Sequence, residues 1–288
     1  MNLWGRWRVI VACGLGSLSA CSLASAQPPP PPVAPGGPGT PAAPSEAAPA
    51  PATGEAERID AILTQLERRG DDIKDIRCQV QFRELDKLSG SDRLKEGEIL
   101  FAVVQPNPKF LIRFDRTTID GIVGKREWYL FDGQWLFEAN ERTQRVTKRE
   151  IAEPDEKVDL FDIETAPFPL PFGQKKDKIL RHFEVSLTEP KEGDPADTDH
   201  VVCIPKPGSR LERNYEKLEF FIRRELHLPV KVVMTKSKGY EVTTASFPDL
   251  SAASLNRDVA KDAFAEPQDW KKYEQVIERL EGAETPQP

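Results

Sequence analysis

The stretch "YLFDGQWLFE", residues 129–138, decides how this chain is read. Asp132-Gly133 sits between two aromatic-rich runs, which is the signature of a β-hairpin with a two-residue turn. A type I′ turn would put both Asp132 and Gly133 at positive φ. A strand with one buried face should alternate apolar and polar residues. Here Trp128, Tyr129, Leu130 and Phe131 run without a break, and so do Trp135, Leu136 and Phe137. Both faces of the hairpin are therefore apolar, and each needs a cover.

Strands extend on either side of the hairpin. In "IRCQVQFREL", Ile76, Cys78, Val80 and Phe82 alternate with Arg77, Gln79, Gln81 and Arg83. "EGEILFAVV" is broken by Pro106 and Pro108, "KFLIRFD" alternates through Phe110, Ile112 and Phe114, and "TQRVTKRE" follows the hairpin. Further strand patterns are "FEVSLTE", "DHVVCIPK", "KLEFFIRRE", "LPVKVVMTK" and "YEVTTASF". A helix precedes them all: Ile59, Ile62, Leu63 and Leu66 repeat at helical spacing, with Gly70 as a stop. Between residues 157 and 183, prolines at 167, 169 and 171 cut a helical pattern into short turns. Trp270, Tyr273, Val276, Ile277 and Leu280 predict a closing amphipathic helix. The connections are too short for parallel crossovers, so the sheet is antiparallel. The fold class is mainly β (α+β), with about 11 strands.

The chain has 288 residues, is 30% charged and carries a net charge of −7. That balance excludes a basic nucleic-acid-binding face. Residues 1–26 read as a signal peptide: Arg6 and Arg8, an apolar run from Val9 to Ala20, and Ala24-Ser25-Ala26 before Gln27. Leu18-Ser19-Ala20-Cys21 also matches a bacterial lipobox, so two outcomes stand: cleavage after Ala26, or lipidation of Cys21 and a membrane tether. Either places the chain outside the cytoplasm, soluble or anchored in the periplasm. Residues 27–54 hold eleven prolines and no large hydrophobe, a linker rather than a core. One domain follows, residues 55–282, then a short tail, 283–288. Cys78 and Cys203 remain after the leader, and either pair or stay as two buried thiols.

In order along residues 58–270, these elements resemble the LolA/LolB/RseB-like carriers of lipoproteins in the bacterial envelope. The resemblance is carried by the opening helix and "IRCQVQFRE", by Gly97 to Phe101, and by Pro108 to Phe110. It continues through the Asp-Gly hairpin, "FPLPFG", "VVCIPK", "LPVKVVMTKSKGYEVTTASFPDL", Asn256 and "DAFAEP". It implies a strongly curved antiparallel sheet, a half-open β-barrel with helices across its mouth. It also implies an apolar cavity that holds an acyl chain or a lipoprotein. Two departures stand out. The family's soluble carriers place an arginine where this chain has Asn107, before Pro108, and they lack the lipobox around Cys21.

No catalytic signature is legible. His182, His200 and His227 lack a nucleophile context, and Asp71-Asp72 and Asp159/Asp162 read as solvated acids. No P-loop, dinucleotide fingerprint or metal-ligand spacing occurs, so no cofactor and no metal are expected. The expected ligand wall is Val80, Phe82, Phe110, Ile112, Phe114, Trp128, Leu130, Trp135, Phe137, Phe220, Ile222, Val232 and Met234. Each also reads as ordinary core. The function these features favour is non-enzymatic binding of an acyl chain or lipoprotein. The alternatives are an envelope sensor that engages a protein partner, as RseB-like proteins do, and an exported hydrolase.

Overall fold

The computed structural model describes residues 53–280, apart from residues 155, 164–169, 190 and 237. The expected signal peptide with Cys21, nearly all of the proline-rich linker and the tail lie outside the described residues, as does part of "FPLPFG".

The chain enters through α1 (Thr53–Asp71). Seven strands follow: β1 (Asp75–Asp86), β2 (Asp92–Ala102), β3 (Lys109–Ile119), β4 (Ile122–Val123), β5 (Glu127–Phe131), β6 (Trp135–Asn140) and β7 (Arg145–Glu150). Helix α2 (Lys176–His182) leads into β8 (Phe183–Thr188), β9 (Thr198–Pro205), β10 (Tyr215–Arg223), β11 (Leu228–Lys236) and β12 (Glu241–Ser246). Three short 3-10 turns, Ala252–Ser254, Lys261–Phe264 and Gln268–Lys272, precede β13 (Glu274–Glu278). The strands form one curved sheet in the order β13-β7-β6-β5-β3-β2-β1-β12-β11-β10-β9-β8, with β4 on β3. The end strands β8 and β13 do not pair with each other, so the sheet stays open rather than closing into a barrel. Among the described residues every named strand pair is antiparallel except β13 beside β7.

The two faces of this sheet carry separate cores. On the inner face, Ile59, Leu63 and Leu66 of α1 pack on Ile76, Cys78, Val80, Ile99, Phe101, Phe110, Ile112 and Phe131. Burying each such side chain contributes roughly 1.5–3 kcal/mol. The segment after β7 crosses the same face and adds Leu160, Ile163, Leu170 and Phe172; the Phe161 ring lies 5.2 Å from Phe101, and Phe172 lies 4.8 Å from Phe247. On the outer face, Leu100, Trp128, Leu130, Phe137 and Val146 pack against Phe264 and Trp270. The hairpin is apolar on both sides because α1 and its neighbours cover one, and the C-terminal segment covers the other.

That C-terminal cover is not the expected amphipathic helix. Residues 268–272 make a 3-10 turn that buries Trp270, and 274–278 extend as β13 along the edge of β7. The edge of β7 would otherwise leave backbone donors and acceptors unpaired, and the charges match it: Arg145 meets Glu274 at 3.0 Å and Arg149 meets Glu278 at 2.8 Å. An isolated helix of this length is marginal in water. The β-branched pair Val276-Ile277 also suits a strand. β13 and the two-residue β4 bring the total among the described residues to 13 strands, where about 11 were expected.

The hairpin turn differs as well. Phe131 pairs with Leu136, and the Asp132 N–H donates to the Trp135 carbonyl at 3.2 Å. The two central residues are thus Gly133 and Gln134, and in this turn only Gly133 has positive φ. This is the requirement of a type II′ turn, with glycine first. Asp132 serves instead through its carboxylate, which accepts the N–H groups of Gln134 and Trp135 at 3.0 and 2.8 Å. Gly70, expected to stop α1, lies within it, its backbone against Gly173.

Candidate functional site

The thirteen predicted wall residues divide between the two faces. Val80, Phe82, Phe110, Ile112, Phe114, Phe220, Ile222, Val232 and Met234 lie on the inner face, with Phe82 and Met234 only half-buried. Trp128, Leu130, Trp135 and Phe137 lie on the outer face, under Phe264 and Trp270. The sheet separates these four from the other nine, and of the thirteen Trp128 alone reaches the cavity described next. The division follows from residue parity: Tyr129 and Phe131 point inward with Leu136, so Trp128 and Leu130 must point outward with Phe137.

A cavity of about 520 Å³ opens on the inner face at the far end of β2, β3, β5, β6, β7 and β13. Its floor is polar. Lys95 is buried at 2% exposure and donates to Glu127 Oε2 at 2.7 Å, with the Tyr129 hydroxyl at 3.4 Å. Its ammonium also lies 5.5 Å from the centre of the Phe114 ring, within cation–π range. Asn140 Nδ2 donates to the other Glu127 oxygen at 3.3 Å. Arg149 donates to Glu138 and to Glu278, tying β6 to β13 across β7. Burial opposes the charge on Lys95, yet Tyr129, Glu127 and Glu84 outweigh it and hold its pKa above the ordinary lysine value. Burial raises Glu138 above the ordinary carboxylate, against the pull of Arg149. The lip is mixed: Ile122 and Val123, 75% and 59% exposed, stand among the exposed Asp120, Lys125, Arg142 and Arg145.

A β-bulge shapes this floor. The β2–β3 register shifts between Glu96 and Gly97, with Glu96 opposite Arg116 and Gly97 opposite Phe114, so Asp115 has no partner. A Cβ on Gly97 would sit 1.8 Å from the Arg113 carbonyl oxygen, so only glycine admits this approach. The alternation Phe110, Ile112, Phe114 predicts that Arg116 points inward. The extra residue turns Thr117 inward instead, opposite Lys95. Thr117 is buried, and its Oγ1 has no hydrogen-bond partner.

Sequence reading missed this group. One signal was present: Lys95 is in phase with Ile99 and Phe101, Glu127 with Tyr129 and Phe131, and Glu138 with Leu136. Each is a charge on the apolar side of its own strand. Thr117 had no such signal, because the bulge overrides the alternation.

Other predicted positions fall as follows. Asn107, where the resemblance implies arginine, is buried and donates to the carbonyls of Gly133 at 2.8 Å and Glu156 at 2.6 Å. Its Oδ1 accepts the Val158 N–H at 3.0 Å, so it pins the hairpin turn to the segment crossing the inner face. Asp162 is buried and paired with Lys178, not solvated. Cys78 and Cys203 are separate buried thiols. Burial pushes the Cys203 thiol up to about 12 and Cys78, aided by Asp249 and Glu98, higher still, so neither is a ready nucleophile. His200 stacks on Phe221 at 4.1 Å and meets Glu219 at 3.2 Å. His182 meets Ser209 Oγ at 3.1 Å, which also accepts the Leu211 N–H within a turn. Among the described residues no acid–His–Cys cluster of metal-binding size occurs, and no helix is long and apolar enough to cross a membrane.

No family model matches the chain, and no curated protein matches it in sequence. Several solved structures are similar to it at low identity. MucB of Pseudomonas aeruginosa, seen in complex with MucA, is 15% identical over 74% of this chain and 62% of that one, with a TM-score of 0.40. The chain thus spans less than two thirds of MucB. LprF from Mycobacterium bovis is 8% identical over 72% of this chain and 96% of its own, TM-score 0.39. A LolA superfamily protein from Nitrosomonas europaea is 11% identical over 72% and 97%, TM-score 0.34.

Proposed function

We propose that this chain is a non-enzymatic binding protein that holds an amphiphile, a free acyl chain or the acylated end of a lipoprotein, on the inner face of its open sheet. The observation that carries the reading is the cavity of about 520 Å³, with the exposed apolar pair Ile122 and Val123 at its mixed lip and a charged floor. Its volume lies in the range of small-molecule pockets, roughly 300–1,000 Å³. A ligand with one greasy and one polar end matches that polarity. Transfer of a hydrocarbon chain from water to an apolar site contributes roughly 0.8 kcal/mol per CH₂, so binding needs no catalytic group. The two cysteines, held as neutral thiols, fit the same reading.

The amino-terminal pattern supports action outside the cytoplasm, in the periplasm, either free or tethered through Cys21. Delipidated protein should take up a fluorescent fatty acid at micromolar concentration, and Ile122→Asp with Val123→Asp should weaken uptake by removing the two exposed apolar side chains at the lip. No uptake by the wild-type chain overturns the reading. Mass spectrometry of protein from a bacterial host separates the two export outcomes, since acylation at Cys21 and cleavage after Ala26 give different masses.

A further inference from the structure

We infer that the cavity floor is a seat for an anionic oxygen group, a carboxylate or phosphate at the polar end of the amphiphile, with Lys95 Nζ and Thr117 Oγ1 as its donors. This deepens the function proposed above and rests on it. Two observations carry it. An ammonium has three N–H donors; Glu127 Oε2 and the Tyr129 hydroxyl face two of those on Lys95. One is left, on a side chain at 2% exposure that water reaches poorly. Directly across the strand pair, the Thr117 hydroxyl is buried without any partner. Buried hydroxyls are nearly always satisfied, so one left open beside a cavity marks a position for an incoming group.

Glu127 does not displace this assignment. Its carboxylate already accepts from Lys95, Tyr129 and Asn140, so it leaves few lone pairs for a cationic ligand. The bulge at Gly97 belongs to the same device, since without it Thr117 would face outward and Arg116 would stand in its place.

The test compares a dansyl fatty acid with its methyl ester on the full delipidated chain, and on Lys95→Met and Thr117→Val. Thr117→Val removes only an unsatisfied hydroxyl, so its fold is secure whatever Lys95→Met does. The acid should bind wild type about tenfold more tightly than the ester, as a charge-assisted hydrogen bond requires. Lys95→Met should abolish that preference and Thr117→Val should cut it about threefold. Equal binding of acid and ester by wild type, or a preference that survives both variants, overturns the seat. If neither probe binds, the amphiphile reading fails. Titration with inorganic phosphate alone then decides the seat: binding lost in Thr117→Val and Lys95→Met keeps it as a small-anion site, and no binding removes it too.

Discussion

The two faces of the 129–138 hairpin are covered by opposite ends of the described chain, and by different means. On the inner face, α1 and the segment after β7 lay down a broad apolar layer through Leu63, Leu66, Leu160 and Phe172. On the outer face the cover is narrow. The chain leaves the inner core at Leu255, where Asn256 Oδ1 accepts the Lys74 N–H at 2.7 Å and the Asp75 carboxylate accepts the N–H groups of Arg257 and Asp258. It then crosses to the outer side and inserts Phe264 and Trp270. Trp270 meets Trp128 edge-on at 6.0 Å and Phe137 at 6.3 Å. A broad layer distributes its energy over many side chains, whereas a strap concentrates it on one or two anchors.

The largest test of that contrast is Trp270→Ala. It should cost about 3–5 kcal/mol, as for other large aromatic truncations, and unmask Trp128 and Phe137. Thermal unfolding measures the cost, and dye binding to exposed apolar surface measures the unmasking. A loss below about 1 kcal/mol would mean the strap does not anchor the outer face. On the inner side the corresponding tie is polar. Asn107→Ala removes three hydrogen bonds and strands the buried partners, for about 2 kcal/mol, read by denaturant titration. Proteolysis within residues 150–163 should rise in that variant while the C-terminal strap stays protected.

Two glutamates of one hairpin sharpen the contrast between cavity and surface. The Arg126 side-chain hydrogen bond, with its backbone N–H, holds the half-buried Glu141 down at about 2. A depressed folded pKa contributes stability above the unfolded value and loses it as pH falls, here through about 2. Burial raises Glu138 instead. A raised folded pKa favours the native state below the unfolded value, and that advantage is lost as pH rises through the folded one. NMR titration of the two carboxyl carbons should therefore give midpoints on opposite sides of the ordinary glutamate value. Equal midpoints would contradict the inward placement of Glu138. The smallest effect belongs to the strap's own edge: Ile277→Lys, at a site 58% exposed, should change stability by no more than about 0.5 kcal/mol. A larger loss would mean β13 is anchored by its side chains rather than by its ladder and ion pairs.

Residues 76–83 and 110–114 were legible because each has one buried face, which prints a period of two into the sequence. The stripe Ile59, Leu63, Leu66 was legible for the same reason at a period of 3.6. The C-terminal segment misread because its strand is mostly exposed on the sheet's edge, so burial left no alternation to read. Its apolar residues happen to fit a helix equally well.

The sequence by itself determined an antiparallel, mainly β protein with an opening helix, and a hairpin that must be covered twice. Those are consequences of local patterning. Which segment supplies each cover, and which nine of the thirteen predicted wall residues share a face, was decided only in three dimensions. The reason is that a bulge or a distant strap acts through register and edge pairing. A single extra residue at Asp115 reverses which side chains enter the cavity, and no composition or period records that shift.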